Sequence, residues 1–428
     1  MIRYFSVQNY LSIRDKQELS FLAKPSDSPL VSEMPDGTFL YKLGVFYGSN
    51  ASGKSNILWA LNKVFGLLVA PNTDTQDKVP GYIPFILTKD KPSEMSVSFY
   101  AAGIRYDYSI VFDGVRILNE ELVYYPNKVK ALFYERKFVD DHVQPDVKFG
   151  ASLQLQPKTQ DAIRTNILNN HSVLSVCKKN SFKEDVLPFT RLHTWVMEHY
   201  HEVDGDDTDD KSPTDILKEA RSNSRMYKFY VTMLNKADLN IVDFKPIVQD
   251  RYIPNVLRKA LQRNDVPENI KKELLAPTTD SIAFLNRSEQ EVFEVPLKWQ
   301  SKGTLKYIKI FNPLYDLISG QHVYYLDELG EDLHYDLLFY YLSVFLFNSE
   351  QSQLLITSQE TALLQQDLLN ENRGAVWFVD KNRETASSEY NRADSFGLHK
   401  NLSLYNSYRI GRMGAKPELG SIFLDLDD

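Results

Sequence analysis

Apolar and polar residues alternate along the first 150 residues in a way that predicts strands around a single helix. Residues 5–10 alternate as a half-buried strand does. The runs 96–100 and 106–112 lie on either side of an Ala-Ala-Gly turn and predict a hairpin. Shorter runs at 118–125 and 131–134 predict two further strands. We therefore assign residues 1–150 to a strand-rich first part.

After residue 150 the pattern becomes helical. Residues 183–200, 214–236 and 255–261 have mixed helical periodicity. We expect residues 151–290 to form a helical insertion.

From residue 291 to residue 428 the pattern is again that of strands and helices. The apolar runs 323–326, 354–357 and 375–379 predict buried strands. The run 337–347 is too short to span a bilayer, which takes about 20 residues, and predicts a core helix that is apolar all round. Strands that alternate with helices imply a parallel sheet.

A phosphate-binding loop lies between the predicted strand 43–47 and the predicted helix 56–64. It has the pattern G-x-x-x-x-G-K-[ST] and comprises Gly48, Ser49, Asn50, Ala51, Ser52, Gly53, Lys54 and Ser55, followed by Asn56. Backbone N–H groups and the helix dipole converge on anionic oxygens at such a loop. We expect Lys54 to pair with the β- and γ-phosphates and the Ser55 hydroxyl to ligate Mg²⁺. The loop therefore predicts a nucleotide site with ATP and Mg²⁺ as cofactors.

An acidic pair supplies the second half of an ATPase site. Asp327 and Glu328 follow the apolar strand 323–326, which would deliver them to the same sheet edge as the phosphate loop. Asp327 would hold Mg²⁺, directly or through water, and Glu328 would polarise the attacking water. The long separation between Lys54 and Asp327 indicates an insertion between the two halves.

Composition limits the remaining possibilities. The chain has 428 residues, 43% apolar and 25% charged, which is ordinary for a soluble globular protein. The net charge of −8 argues against a broadly basic nucleic-acid surface. Cys177 is the single cysteine, so no intrachain disulfide can form, which fits a reducing cytoplasm. No signal peptide or membrane span is expected.

Several further segments match one family. They are the opening segment 5–13, the phosphate loop with both Asn50 and Asn56, the segments 84–136 and 234–241, Ser301-Lys302-Gly303-Thr304, and the blocks 377–381 and 408–417. Across nearly its whole length the chain resembles the ABC-type AAA ATPases related to OLD, RecF and SMC proteins. More narrowly, it resembles the RloA/AriA-like ATPases of anti-phage abortive-infection systems such as PARIS.

The resemblance implies an α/β fold, the ABC-type P-loop ATPase head, with a mixed-sheet lobe, a parallel-sheet core and a helical insertion. In such heads ATP lies between the phosphate loop of one subunit and the signature segment of another. Ser301 and Gly303 stand at the signature position, so Ser301 would contact the γ-phosphate across a homodimer or a larger ring. The resemblance also implies a separately encoded effector, often a TOPRIM-type nuclease, and a phage trigger.

Two positions depart from the family pattern. Gln359 stands where a histidine is usual, and an amide can donate a hydrogen bond but cannot carry a proton. We therefore count Gln359 with Lys54 and Glu328 among the catalytic residues but expect slow hydrolysis. Gly330 stands where an aspartate is common.

Two other functions stay open: a DNA-repair ATPase of RecF or SMC type, and a nucleotide-locked scaffold with slow turnover. Residues 198–202, Glu-His-Tyr-His-Glu, are interpreted as a solvated helix end rather than a metal site, and the acidic run 204–210 as a solvated connection. Arg412 is either structural or faces phosphate across an interface. The acidic tail 422–428 is either frayed or docks on a partner.

Overall fold

The computed structural model describes residues 1–70, 78–139, 145–179, 186–203, 211–237, 240–249, 267, 271, 278–331, 333–399 and 402–417. The predicted helix 255–261, the acidic run 204–210 and the tail 422–428 lie outside these residues. The chain divides into two compact units. The first comprises Met1–Gly205, Asp316–Glu331 and Leu342–Asp428, and the second comprises Asp206–Tyr315 and Asp332–Tyr341.

The described strands are, in chain order, β1 (Ile2–Gln8), β2 (Gln17–Ser20), β3 (Val31–Glu33), β4 (Phe39–Tyr41), β5 (Leu43–Gly48), β6 (Ser93–Ala101), β7 (Ile104–Phe112), β8 (Ile117–Tyr124), β9 (Ala131–Lys137), β10 (Asp146–Phe149), β11 (Tyr200–Val203), β12 (Ile241–Gln249), β13 (Thr278–Arg287), β14 (Val292–Pro296), β15 (Val323–Leu326), β16 (Gln353–Ser358), β17 (Val376–Lys381) and β18 (Ser388–Arg392).

The described α-helices are α1 (Lys54–Val69), α2 (Pro157–Asn166), α3 (Val173–Lys179), α4 (Leu187–His199), α5 (Pro213–Ser222), α6 (Ser224–Lys236), α7 (Lys302–Lys309), α8 (Phe311–Ser319), α9 (Tyr335–Asn348), α10 (Asp367–Glu371) and α11 (Leu404–Arg409). No helix within the described ranges is both long and apolar enough to cross a membrane.

The first unit contains an antiparallel sheet with the strand order β10-β9-β8-β7-β6-β1-β2. The predicted hairpin is confirmed as β6 and β7, whose register pairs Val97 with Tyr108. Side chains of β7 alternate between half-buried and buried, because one face of the sheet packs on the core and the other faces water. One hydrophobic core holds the inner face of this sheet together with side chains of α1, α3 and α4, and includes Cys177.

The first unit also contains a six-stranded sheet with the order β11-β15-β16-β5-β17-β18. All its neighbours pair in parallel except β17 and β18, so the predicted parallel core is confirmed. Every residue of β5 is buried, as expected for a central parallel strand covered on both faces. Strand β16 lies between β5 and β15, so one strand separates the two strands that lead into the predicted site.

The predicted helix 183–200 extends too far. Helix α4 ends at His199, and Tyr200 begins β11 because it pairs with Val323 of β15. The predicted helix 337–347 is confirmed as α9, but it is not buried all round, since Phe347 is 71% exposed.

The second unit is mixed rather than purely helical. The predicted helix 214–236 is interrupted at Asn223, whose side chain accepts hydrogen bonds from the N–H groups of Arg225 and Met226 and so caps α6. Strands β12, β13 and β14 form an antiparallel sheet in this unit, and β12 and β13 both lie within residues 151–290, where a helical insertion was predicted. Phe311 packs against Tyr307 and Tyr230 in its core.

Candidate nucleotide site

The phosphate loop follows β5, and α1 begins at Lys54. Gly53 has φ +103°, a left-handed value that disfavours residues with a Cβ atom. A Cβ atom at Gly53 would lie 2.1 Å from the Ser388 hydroxyl, and one at Gly48 would lie 2.5 Å from the Val379 carbonyl oxygen. Both glycines are therefore required by backbone conformation or by close packing.

The loop is held from outside by side chains that sequence reasoning missed. The Ser388 hydroxyl donates to the Ser52 carbonyl at 2.5 Å, and the Tyr390 hydroxyl donates to the Gly53 carbonyl at 2.5 Å. Both residues lie on β18, far from the loop in sequence, and no local motif marks them.

A second contact joins the loop to the opening segment of the chain. The Ser12 and Ser388 hydroxyls are 2.6 Å apart, and the Asn56 amide donates to the Ser12 hydroxyl at 2.5 Å. Asn56 therefore fixes the start of α1 to residues that precede the loop. In the sequence, only the family resemblance marked Asn56 and Ser12 as residues of interest.

Lys54 is nearly buried and its amino group donates to the Ser49 carbonyl at 3.1 Å. Burial lowers the pKa of Lys54, while the nearby carboxylates of Glu328 and Asp327 raise it in part. The lysine charge thus lies within the field of the acidic pair, and the two halves of the predicted site are close together. The Ser55 side chain is half-buried at the second position of α1, and Asn50 and Ala51 are exposed at the loop tip.

The acidic pair is positioned by Thr357 of β16, another residue that sequence reasoning missed. The Thr357 hydroxyl donates to the Asp327 carboxylate and accepts the N–H of Glu328 at 2.7 Å. Glu328 has φ +49°, a strained left-handed value for a residue with a side chain. Thr357 therefore fixes both the Asp327 carboxylate and the backbone turn that positions Glu328.

Gln359 follows β16 and lies beside Glu328. Its amide nitrogen donates to the Glu328 carboxylate at 3.0 Å. A cavity of about 450 Å³ adjoins Gln359 and the phosphate loop, and its lining consists of Tyr47, Gly48, Ser49, Asn50, Ser358, Gln359, Tyr408 and Pro417. The hydroxyl of Ser55 and the carboxylate of Asp327 are oxygen donors of the type that Mg²⁺ prefers. The residues present thus fit a magnesium nucleotide.

Other predicted residues lie elsewhere. Ser301 and Gly303 belong to the second unit, where the Ser301 hydroxyl accepts the Thr304 N–H at 3.0 Å and caps α7. The Arg412 side chain is exposed, and its backbone N–H donates to the Ser407 carbonyl at 3.0 Å in the turn after α11.

The interpretation of residues 198–202 as a solvated helix end is confirmed only for the exposed Glu198 and for His199, since residues 200–202 belong to β11. His199 ends α4 and stacks on Trp195 with ring centroids 4.0 Å apart. His201 lies on β11 and stacks against His322 at 5.5 Å, and burial lowers the pKa of His322 to about 4. Within the described residues, no group of three or more His, Cys, Asp and Glu side chains is arranged to hold a metal ion.

Comparison with known proteins identifies one family. No curated protein matches the chain significantly in sequence. Among solved structures the chain is similar to the one described as "Crystal structure of the SmcHead bound to the C-winged helix domain of ScpA", with 13% sequence identity, a TM-score of 0.42, and coverage of 95% of this chain and 99% of that chain. The model of one family, "AAA domain, putative AbiEii toxin, Type IV TA system", matches residues 44–365.

That match includes the phosphate loop, the predicted signature segment, the acidic pair and Gln359, and it spans about three quarters of the chain. The fold is accordingly that of an ABC-type P-loop ATPase head. We conclude that the chain belongs to the AAA-domain family with this description.

Proposed function

We propose that the protein is a Mg²⁺-dependent ATPase that binds ATP at the phosphate loop and hydrolyses it slowly. The proposal rests on the proximity of the two halves of the site within one unit. Lys54 lies in the electrostatic field of Asp327 and Glu328, and Gln359 donates a hydrogen bond to Glu328. A phosphate loop with an adjacent acidic pair is what phosphoryl transfer to water requires.

Each residue has a distinct role in this proposal. The N–H groups at the start of α1 and the Lys54 ammonium bind the phosphates. Ser55 and Asp327 would hold Mg²⁺, which would offset negative charge on the phosphates. Glu328 accepts a hydrogen bond from the attacking water and orients it. The loop residues Gly48, Ser49, Asn50, Ala51, Ser52, Gly53 and Asn56 shape the cradle.

Gln359 would limit the rate. Its amide can donate to Glu328 or to a phosphate oxygen, but it supplies neither a proton nor a positive charge. Because the same amide donates a hydrogen bond to the Glu328 carboxylate, it competes with the attacking water for that carboxylate. We therefore expect turnover that is slow enough for the ATP-bound state to persist.

The proposed active assembly is a two-fold dimer in which Ser301 of one chain contacts the γ-phosphate held by the other. Ser301 begins a helix, and a helix N-terminus is suited to bind an anion. An isologous arrangement would complete two equal sites. In this assembly residues 1–150 and 291–428 supply the head and residues 151–290 the insertion.

We propose that this ATPase acts in the cytoplasm as sensor and scaffold of an anti-phage defence system and controls a separately encoded toxic effector. The family description, which names a toxin–antitoxin system, supports a role in such a system. A DNA-repair ATPase is the second candidate, favoured by the resemblance to RecF and SMC heads and disfavoured by the net charge of −8.

Phosphate release and ATP binding by the purified chain test the enzymatic proposal. We expect Lys54→Ala to abolish binding, and Glu328→Gln to bind ATP while its turnover falls about 100-fold or more. The exposed Lys89→Ala serves as the matched control and should behave as wild type. Equal turnover of wild type and Glu328→Gln would instead favour the nucleotide-locked scaffold.

Two further measurements test the biological role. Lys54→Ala should abolish phage protection in cells that carry the neighbouring genes, and intact protection would contradict the defence proposal. A DNA gel shift titrated with salt in the presence of ATP separates the repair ATPase, because only that candidate requires salt-sensitive DNA binding.

A further inference from the structure

Trp299 is far more exposed than a tryptophan usually is. The chain has four tryptophans. Trp377 is 1% exposed, Trp195 is half-buried and Trp59 is 43% exposed, whereas Trp299 is 71% exposed. A large aromatic side chain left in water is costly unless another surface covers it.

The Trp299 backbone is held in place on both sides. The short helical turn Leu297–Trp299 is anchored by Leu297, which is 6% exposed and lines a cavity with Ile282 and Leu305. The Gln300 N–H donates to the Leu297 carbonyl at 3.0 Å, and Ser301 then caps α7. The anchored backbone therefore keeps this side chain displayed at the surface.

The position of Trp299 ties it to the signature segment. Only Gln300 lies between Trp299 and Ser301, so the Cα atoms of Trp299 and Ser301 are at most about 7 Å apart. Any surface that engages the Ser301 hydroxyl must therefore also come close to Trp299.

The charge of the segment around Trp299 is opposite to the charge of the nucleotide site. Lys298 and Lys302, on either side of Trp299, are exposed and positive. The nucleotide site carries the carboxylates of Asp327 and Glu328, which are half-buried, and would carry the phosphates of bound ATP. A basic segment around a tryptophan thus fits the acidic site of a second copy of this chain.

We propose that Trp299 is the apolar anchor of an ATP-dependent interface between two copies, where it packs against the rim of the partner's nucleotide cavity beside the phosphate loop. The inference rests on the proposed dimer and adds the residue that stabilises it. Buried tryptophans are among the residues that contribute most to interfaces, and their loss commonly weakens binding about 30-fold or more.

The test uses full-length Glu328→Gln as the parent, because slow hydrolysis preserves the ATP-bound state. Its dimer dissociation constant is measured by sedimentation with Mg²⁺ and ATP, and again without nucleotide. Trp299→Ala, Trp299→Phe and Phe347→Ala are each introduced into this parent. Phe347 is the matched control because it is also an aromatic side chain that is 71% exposed.

We expect ATP to dimerise the parent, Trp299→Ala to raise the dimer dissociation constant about 30-fold, and Trp299→Phe to retain most of the affinity. Phe347→Ala should leave the constant unchanged, and all variants should bind ATP equally as monomers. A parent that dimerises with ATP while Trp299→Ala dimerises equally well would overturn this inference and leave the sandwich intact. A parent that ATP does not dimerise would refute the sandwich itself. Loss of monomer ATP binding in Trp299→Ala would also overturn the inference, since Trp299 would then act within its own chain.

Discussion

Replacing Thr357 with valine removes one hydroxyl that serves both acidic residues of the site. Thr357 is fully buried, and valine has nearly the same shape, so the change creates no cavity. What is lost is the hydrogen bond to the Asp327 carboxylate and the acceptor for the Glu328 N–H at 2.7 Å. The substitution therefore measures the contribution of the Thr357 hydroxyl alone.

The magnitude follows from these two bonds. A hydrogen bond to a charged group contributes about 1.5–3 kcal/mol, and a buried donor left without an acceptor costs about 1–3 kcal/mol. Because Asp327 and Glu328 are only half-buried, water replaces part of each bond. We expect a loss of about 2–4 kcal/mol of stability and a fall of the melting temperature of about 2–4 °C for a chain of this length.

Activity should fall more steeply than stability. The left-handed conformation of Glu328, at φ +49°, costs on the order of 1–2 kcal/mol. Without the Thr357 hydroxyl the backbone at Glu328 can relax, and the Glu328 carboxylate is then no longer held in the position that orients the attacking water. A misplacement of about 1 Å can lower a rate about 100-fold, so we expect turnover to fall about 10- to 100-fold.

Steady-state phosphate release with a Mg²⁺ titration, together with thermal unfolding, measures both effects. Thr357→Ser is the matched control, because serine keeps the hydroxyl and loses only a methyl group. The reasoning would be refuted if the valine variant turned over ATP within about twofold of the serine variant.

Three other predictions concern the loop, the rate and the pH dependence of stability. Gly53→Ala should weaken ATP binding at least tenfold, about 1.4 kcal/mol, because the new Cβ atom would lie 2.1 Å from the Ser388 hydroxyl. Calorimetric titration with ATP measures this loss. Gly37→Ala is the control for backbone strain alone, since Gly37 has φ +87° but no atom within 4 Å of the added Cβ. Gln359→His should acquire turnover that rises as pH falls through about 6.5, where an imidazole gains its proton; a flat pH profile like that of wild type would contradict the role assigned to this position. Burial lowers the pKa of Lys42 from 10.5 to about 8, so the unfolded chain holds one more proton between these values and stability should rise with pH across that window; Lys42→Met should lack this rise in unfolding midpoints measured between the two values.

The parts of the site that could be predicted from sequence are those whose signal is local. The strand, loop and helix around Gly53 occupy one short segment, and the glycine spacing reflects steric needs within it. The acidic pair Asp327 and Glu328 could likewise be predicted, because an apolar strand ends directly before it.

The supports of the site could not be predicted, because they come from distant segments. Ser388 lies 336 residues from Ser52, and Thr357 lies 30 residues from Asp327. A serine or threonine in a strand carries no local sign of its partner, and only the strand order β15-β16-β5-β17-β18 brings these hydroxyls to the site.

Two errors in the helical region have different causes. The helical periodicity before Tyr200 does not show where the helix ends. Pairing of Tyr200 with Val323 of β15 ends it, and strand formation of this kind depends on tertiary contacts. Asn223 interrupts the next helix by capping its own backbone N–H groups. Asparagine is a preferred cap residue, so the signal was present, but periodicity on both sides concealed it.

The strand order also determines when the site can form during synthesis. Strand β5, which leads into the phosphate loop, pairs only with β16 and β17 in its sheet. These strands leave the ribosome about 300 residues later, which takes about 15–60 s at about 5–20 residues per second. During that interval the apolar β5 has neither of its partners and depends on other protection from aggregation. Strands β6–β10 pair with their neighbours in the chain and can form their sheet first. We therefore expect this antiparallel sheet to fold during translation, before the nucleotide site is complete.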